Sequence, residues 1–217
     1  VLGFQYRGSL YRVSGSSQEA LHTSGITGFT DSCTVFRNKA GTGTVLVYLS
    51  ETGLAAFTPA PAHELFNRSV SLDDLFVRDR IEQTEEKLSG ARSDTERVHI
   101  VERFLESQLR EVQADRCIVE AVKQIYAAKG NIRIKELSAR LAISQSPFEK
   151  RFRRLLGTTP KKFASVVRFN AMLQEMDNTT KTLSDICYEY NFFDQAHFIK
   201  DFKRYTGITP EMFRRNR

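Results

Sequence analysis

Apolar and polar positions follow two rhythms along this chain, and the change falls near residue 70. Before it, short β-branched and aromatic runs alternate with glycine-rich connectors: Thr34-Val35-Phe36, then Thr44 to Leu49, then Leu54 to Phe57. Eight of the twelve glycines lie in residues 1–60, and apolar runs between turn residues read as strands. From Ser71 onward the spacing turns helical. Ser71 or Asp73 is placed to cap a helix running to about Leu88, with Ser89-Gly90 as its stop. Ser93 followed by Glu96 has capping-box spacing. The helix they open carries Val98, Val101, Leu105 and Leu109 at helical intervals, one apolar face. The expected class is α+β: a β-rich domain over residues 1–110 ending in two helices, then an all-α domain over residues 111–217. The two helices either line a dimer interface or pack on the sheets. The chain begins with Val rather than Met, so the β-rich domain is expected to be truncated at its N-terminus.

The helical half contains an internal repeat. Residues 146–163 align with residues 196–213 at an offset of 50, and Phe148/Phe198, Lys150/Lys200, Phe152/Phe202, Arg154/Arg204, Gly157/Gly207, Thr159/Thr209, Pro160/Pro210 and Phe163/Phe213 coincide. Upstream, Glu136 to Leu141 matches Asp185 to Tyr190 with a one-residue slip. Two copies of one supersecondary unit are too few for a solenoid. Each copy reads as helix, tight turn, helix. In the first, Leu137 and Leu141 point inward, Ala142-Ile143 turns, Ser144 caps, and Phe148, Phe152 and Leu155 form a buried stripe. Gln145, Ser146, Glu149, Lys150 and Arg153 lie on the opposite face. In the second, Ile186 and Tyr190 point inward, Asn191-Phe192 turns, Asp194 caps, and Phe198, Phe202 and Tyr205 pack. Gln195, Ala196, Ile199, Lys200 and Lys203 face out. A long helix from about Pro160 to Met176 joins the copies. Two short helices of which the second has a polar, basic outer face form a helix-turn-helix, whose second helix fits the major groove.

Charge supports that reading. The net charge is +6, but residues 1–110 hold 12 Lys+Arg against 14 Asp+Glu, and residues 111–217 hold 20 against 12. A basic module joined to a mildly acidic one points to an anionic partner, with nucleic acid first and an anionic membrane surface second. A solvated basic face is the plain alternative. The longest apolar run, Val45 to Leu49, is far below the roughly 20 residues of a spanning helix, so no membrane partner by insertion is expected.

The stretch Glu136-Leu-Ser-x-x-Leu-x-x-Ser144, Phe148-x-Lys150-x-Phe152 and Gly157-x-Thr-Pro160, followed by Asp185-Ile-Cys187, Phe192, Asp194-Gln195, Phe198-x-Lys200-x-Phe202-Lys203 and Gly207-Ile-Thr-Pro210, resembles the AraC/XylS family of bacterial transcription regulators. The likeness covers roughly residues 115–217. Asn191 stands where that family usually has a turn glycine, and Lys150 and Lys200 where an arginine is common. The resemblance implies about seven helices, two helix-turn-helix units joined by a long helix, and double-stranded DNA as partner. It implies Ser146, Glu149 and Lys150 as base-facing residues of the first unit. In the second it implies Gln195, Ala196, Ile199 and Lys200, with His197 beside them. Arg151, Arg154, Lys203 and Arg204 flank these faces as phosphate contacts. It further implies a cytoplasmic regulator, an activator among the family's roles, whose candidate partners are a small-molecule effector, a second copy and RNA polymerase.

Residues 1–70 resemble, more weakly, part of a small β-barrel or cupin-like domain found ahead of such DNA modules, through Gly53, Phe57-x-Pro-x-x-x-x-Glu64-Leu65 and Leu72-Asp-Asp-Leu75. His22 and His63 are isolated, so no metal and no cofactor is expected. Cys33, Cys117 and Cys187 are odd in number and far apart, which excludes a disulfide framework and fits a reducing compartment. The alternative class is an enzyme carrying the same module, such as a DNA-repair alkyltransferase with a thiolate-bound metal. Only Cys33 lies in residues 1–110, and Gly-x-Ser-x-Gly, Walker and His-Glu-x-x-His motifs are missing, so no enzyme activity is expected.

Overall fold

The computed structural model describes residues 1–178, 182–192 and 194–215. The chain divides into two compact units: Val1–Phe29, Thr34–Gln113 and Leu155–Gly157 in unit 1, and Thr30–Cys33, Ala114–Arg154 and Thr158–Arg217 in unit 2.

Unit 1 is built on antiparallel strands. β1 (Leu2–Arg7), β2 (Leu10–Ser14), β3 (Ser17–Ala20), β4 (Ser24–Thr27), β5 (Val35–Asn38), β6 (Gly43–Val47) and β7 (Ser69–Ser71) form a four-stranded sheet ordered β6-β1-β4-β7 and a three-stranded sheet ordered β3-β2-β5. In β1 the period-two pattern buries Leu2 and Phe4, and Leu2 stands opposite both Ile26 and Val47. The two helices are α1 (Arg78–Gly90) and α2 (Asp94–Gln108). Ile81 and Leu88 of α1 and Val101 and Phe104 of α2 join the sheet residues in one core. The Phe104 ring is met edge-on by Phe4 and by Phe76, each at 5.6 Å between centroids.

Four local expectations change. Leu54 to Phe57 is no strand: Gly53–Ala56 is a 3-10 turn, because Leu-Ala-Ala lacks the branched side chains that a pleated surface favours. Ser71 does cap, accepting from the Asp73 amide at 3.2 Å, but only a single 3-10 turn, Leu72–Asp74, and α1 starts later at Arg78. Ser93 accepts from the Glu96 amide at 3.2 Å, whereas the Glu96 carboxylate reaches back to the Arg92 amide at 2.8 Å rather than to Ser93. The buried face of α2 is Ile100, Val101 and Phe104, and Val98 and Leu109 are exposed.

Unit 2 is helical in its described elements: α3 (Arg116–Ala127), α4 (Ile134–Arg140), α5 (Gln145–Leu156, whose last two residues group with unit 1), α6 (Pro160–Asn178), α7 (Leu183–Glu189), α8 (Gln195–Thr206) and α9 (Pro210–Arg215). Gly130 follows α3 at φ 74, and a Cβ there would lie 2.2 Å from the Ala164 carbonyl oxygen. Only glycine lets the α3–α4 connection approach the backbone of α6 this closely. No helix among the described residues is long and apolar enough to cross a membrane.

Candidate nucleic-acid interface

The two halves of unit 2 repeat in geometry as well as in sequence. Ala142 after α4 and Asn191 after α7 both take φ 51, the left-handed conformation that lets a chain leave one helix and enter the next at a sharp angle. At Ala142 no side chain assists this strained turn, while Asn191 is a residue that tolerates it. α8 is capped by Asp194, which accepts from the His197 amide at 2.6 Å. The Ser144 carbonyl accepts the Phe148 amide at 3.1 Å and so opens α5. α7 has a full capping box: Thr182 accepts from the Asp185 amide at 3.2 Å and Asp185 from the Thr182 amide at 3.0 Å. Gly157 and Gly207 follow α5 and α8 at φ 84 and φ 81.

Beneath each second helix lies the same aromatic triad. Phe148–Phe152 and Phe152–Phe163 stand 5.7 and 5.6 Å apart, and Phe198–Phe202 and Phe202–Phe213 stand 5.6 and 5.4 Å apart, all edge-on. Phe148, Phe152, Phe198 and Phe202 are 0% exposed. The stripe of α5 closes with Leu156 rather than Leu155, which is half-buried. Phe169 of α6 meets the Phe202 ring edge-on at 5.4 Å and the Tyr205 ring at a tilt at 4.6 Å, and Phe163 of the same helix completes the first triad, so the joining helix serves both cores.

With the aromatic faces turned inward, the polar faces turn out. Ser146, Lys150 and Arg154 on α5 and Gln195, Ala196, Lys200 and Lys203 on α8 are exposed. Lys150, Arg154, Lys200 and Lys203 have no ion-pair partner among the described residues. Ile199 is 37% exposed on the same face as Lys200. Glu149 accepts from the Gln145 amide group at 2.9 Å. His197 stands 3.4 Å from Asp201 and edge-on to the Phe192 ring.

Two of the residues expected at phosphates are engaged elsewhere. Arg151 grips Asp115 through Nε at 2.8 Å and Nη2 at 2.5 Å, while Asp115 also caps α3 by accepting the Ile118 amide at 3.2 Å. Burial alone would raise the Asp115 carboxyl, but the Arg151 and Ile118 hydrogen bonds outweigh it and hold it below its ordinary range. Arg204 is paired with Asp31, a buried carboxylate on the Thr30–Cys33 segment of this unit, which also accepts from Lys162 at 3.0 Å. Conversely Arg153 is exposed at the repeat position of Lys203, a register the 50-residue offset makes visible. Asp115 and Asp31 carry no local signal in the sequence, since each finds its partner across a long separation. Among the described residues no three His, Cys, Asp or Glu side chains gather as a metal site.

A family model described as a helix-turn-helix domain matches residues 137–216. The Msm operon regulatory protein of Streptococcus mutans is 27% identical over 119 residues, 54% of this chain and 43% of that protein. An uncharacterized helix-turn-helix-type transcriptional regulator of Staphylococcus aureus is 29% identical over 87 residues, 40% of this chain and 12% of its own length. The chain thus spans less than half of these curated relatives. The structure of ToxT from Vibrio cholerae superposes with a TM-score of 0.51 over 98% of this chain and 88% of that one, at 9% identity, a likeness of fold alone.

Proposed function

We propose, for a chain whose residues 137–216 form a helix-turn-helix domain of the AraC type, that the protein is a sequence-specific transcription regulator. One chain reads two successive major grooves, α5 in one and α8 in the other. Unit 1 controls that binding. The observation that carries this reading is the doubled geometry: two helices on matching aromatic triads, each turning unpaired cations to solvent. The 19 residues of α6 rise about 28 Å, close to one duplex turn of about 34 Å.

Roles follow from chemistry. Lys150 and Lys200 suit the acceptor atoms of guanine and Gln195 suits adenine. Ser146 lies beside Lys150 on the outer face, and Glu149, tied to Gln145, is a candidate acceptor for cytosine. Arg153, Arg154 and Lys203 meet phosphates. Arg151 and Arg204 hold the framework through Asp115 and Asp31 rather than touching DNA first. An effector, a second copy and RNA polymerase are the further partners that belong to this reading, in a cytoplasmic setting.

Selection from a random-site DNA library tests it. The expected motif has two short blocks about 10 base pairs apart. The blocks differ in sequence, because Ser146 and Glu149 on α5 stand where α8 has Ala196 and Ile199. A single block, or no enrichment, overturns the reading.

A further inference from the structure

The hairpin of α1 and α2 in unit 1 sorts its cations into two groups. These helices hold five basic side chains: Arg78, Arg80, Lys87, Arg97 and Arg103. Arg78 pairs with Glu82 at 2.8 Å and Arg97 with Asp94 at 2.9 Å. Arg80, Lys87 and Arg103 form no ion pair with a described residue, and these three line one groove between the helices. The sequence leaves two of them unpaired by design of spacing: the positions three and four away from Arg80 and Lys87 hold no acid, which is where a helix neutralises its own charges.

The groove has the form of a ligand site. Arg80, Thr84 and Lys87 on α1 face Ile100, Arg103 and Phe104 on α2 across a space of about 210 Å³. Ile100 and Phe104 are 7% and 5% exposed and make its floor. The Thr84 hydroxyl donates to the Arg80 carbonyl at 2.7 Å, and Gln83 and Ser107 add uncharged polar side chains to the walls. No carboxylate lines the groove, although residues 1–110 as a whole hold more acids than bases. Three like charges converging over an apolar floor repel one another, and an anion placed among them relieves that repulsion through charge-assisted hydrogen bonds.

We propose that the α1–α2 groove binds a small organic anion of two or more charges, a polycarboxylate or a phosphate ester, with its carbon skeleton on Ile100 and Phe104. Isothermal titration of the full chain with citrate, glucose 6-phosphate and inorganic phosphate, at constant ionic strength, tests it. The expected result is one-to-one binding of citrate or glucose 6-phosphate, tighter than inorganic phosphate. Arg103→Gln or Lys87→Gln weakens it about tenfold, one charge-assisted contact, and Arg78→Gln leaves it unchanged. All of these positions are exposed, and a thermal melt of each variant verifies folding. No heat from any probe overturns the proposal, as does equal loss in Arg78→Gln or no loss in the groove variants. Inorganic phosphate binding as tightly as the organic anions also overturns it, because the apolar floor then contributes nothing. The titration involves no DNA, so its outcome is independent of the regulator reading above.

Discussion

At the scale of single residues, the cations of α5 and α8 divide into those that pair with acids of the same unit and those with no ion-pair partner among the described residues. Arg151 is fixed by a two-pronged bond to Asp115, so Asp115→Asn keeps the cap on α3 but loses the ion pair. The expected cost is about 1 kcal/mol or less, since the Arg151 side chain is 46% exposed and the pair is screened by solvent. The sign of its pH dependence follows from the lowered Asp115 carboxyl. The pair's contribution is complete above the ordinary Asp range near 3.9 and is lost as pH falls through the lower folded value. Urea melts of the two proteins therefore differ by a constant amount at neutral pH and converge in acid; a gap that widens in acid contradicts this. Lys203 and Arg204 are neighbours with different expectations. Lys203→Ala should lower the salt slope of DNA binding by roughly one unit on any sequence. Arg204→Ala should mainly destabilise the unit, by about 1–3 kcal/mol, because Asp31 is a buried carboxylate that loses a charged partner. Filter binding across a salt series and thermal melts separate the two.

At the scale of elements, the triads Phe148–Phe152–Phe163 and Phe198–Phe202–Phe213 set α5 and α8 on their supports. Phe198→Ala and Phe148→Ala should each cost about 3–5 kcal/mol. Each should abolish DNA binding by loosening its own helix, read by urea melts followed through helical ellipticity. Gly130→Ala should also destabilise, as its new Cβ meets the α6 backbone in a conformation that L side chains rarely adopt. These elements were legible in the sequence because the repeat places a helix stop, a proline and two phenylalanines in register, and each of those acts locally. α2 was legible in extent and cap but not in facing, since Val98, Val101 and Leu105 make as regular a stripe as the Ile100, Val101 and Phe104 that sheet packing selects. Leu54 to Phe57 misled because four apolar residues in a row suit a strand or a turn, and Leu-Ala-Ala lacks the branched side chains that favour the strand. The short strands β1 to β4 gave weak signals because each spans few residues, and their pairing partners lie on other strands. Of the candidate site, the outward residues of α5 and α8 followed from helical periodicity. The engagement of Arg151 and Arg204 did not, because it depends on acids 36 and 173 residues away in sequence.

At the scale of the whole molecule, the chain joins a mildly acidic β-rich part to a basic helical one. If each helix-turn-helix reads its own stretch of DNA, each half carries its own base contacts. Lys150 and Lys200 occupy the same repeat position and are both exposed and unpaired among the described residues, so they are matched probes of the two halves. Losing a base contact should cost about 1–3 kcal/mol on the cognate site alone, whereas losing a phosphate contact weakens all sequences alike. The most direct measurement is random-site selection repeated with the wild-type chain, Lys150→Ala and Lys200→Ala. Lys150→Ala should flatten one position in one block, and Lys200→Ala one position in the other block about 10 base pairs away, with the remaining block intact in each case. Both substitutions altering the same block, or neither altering any position, would contradict it.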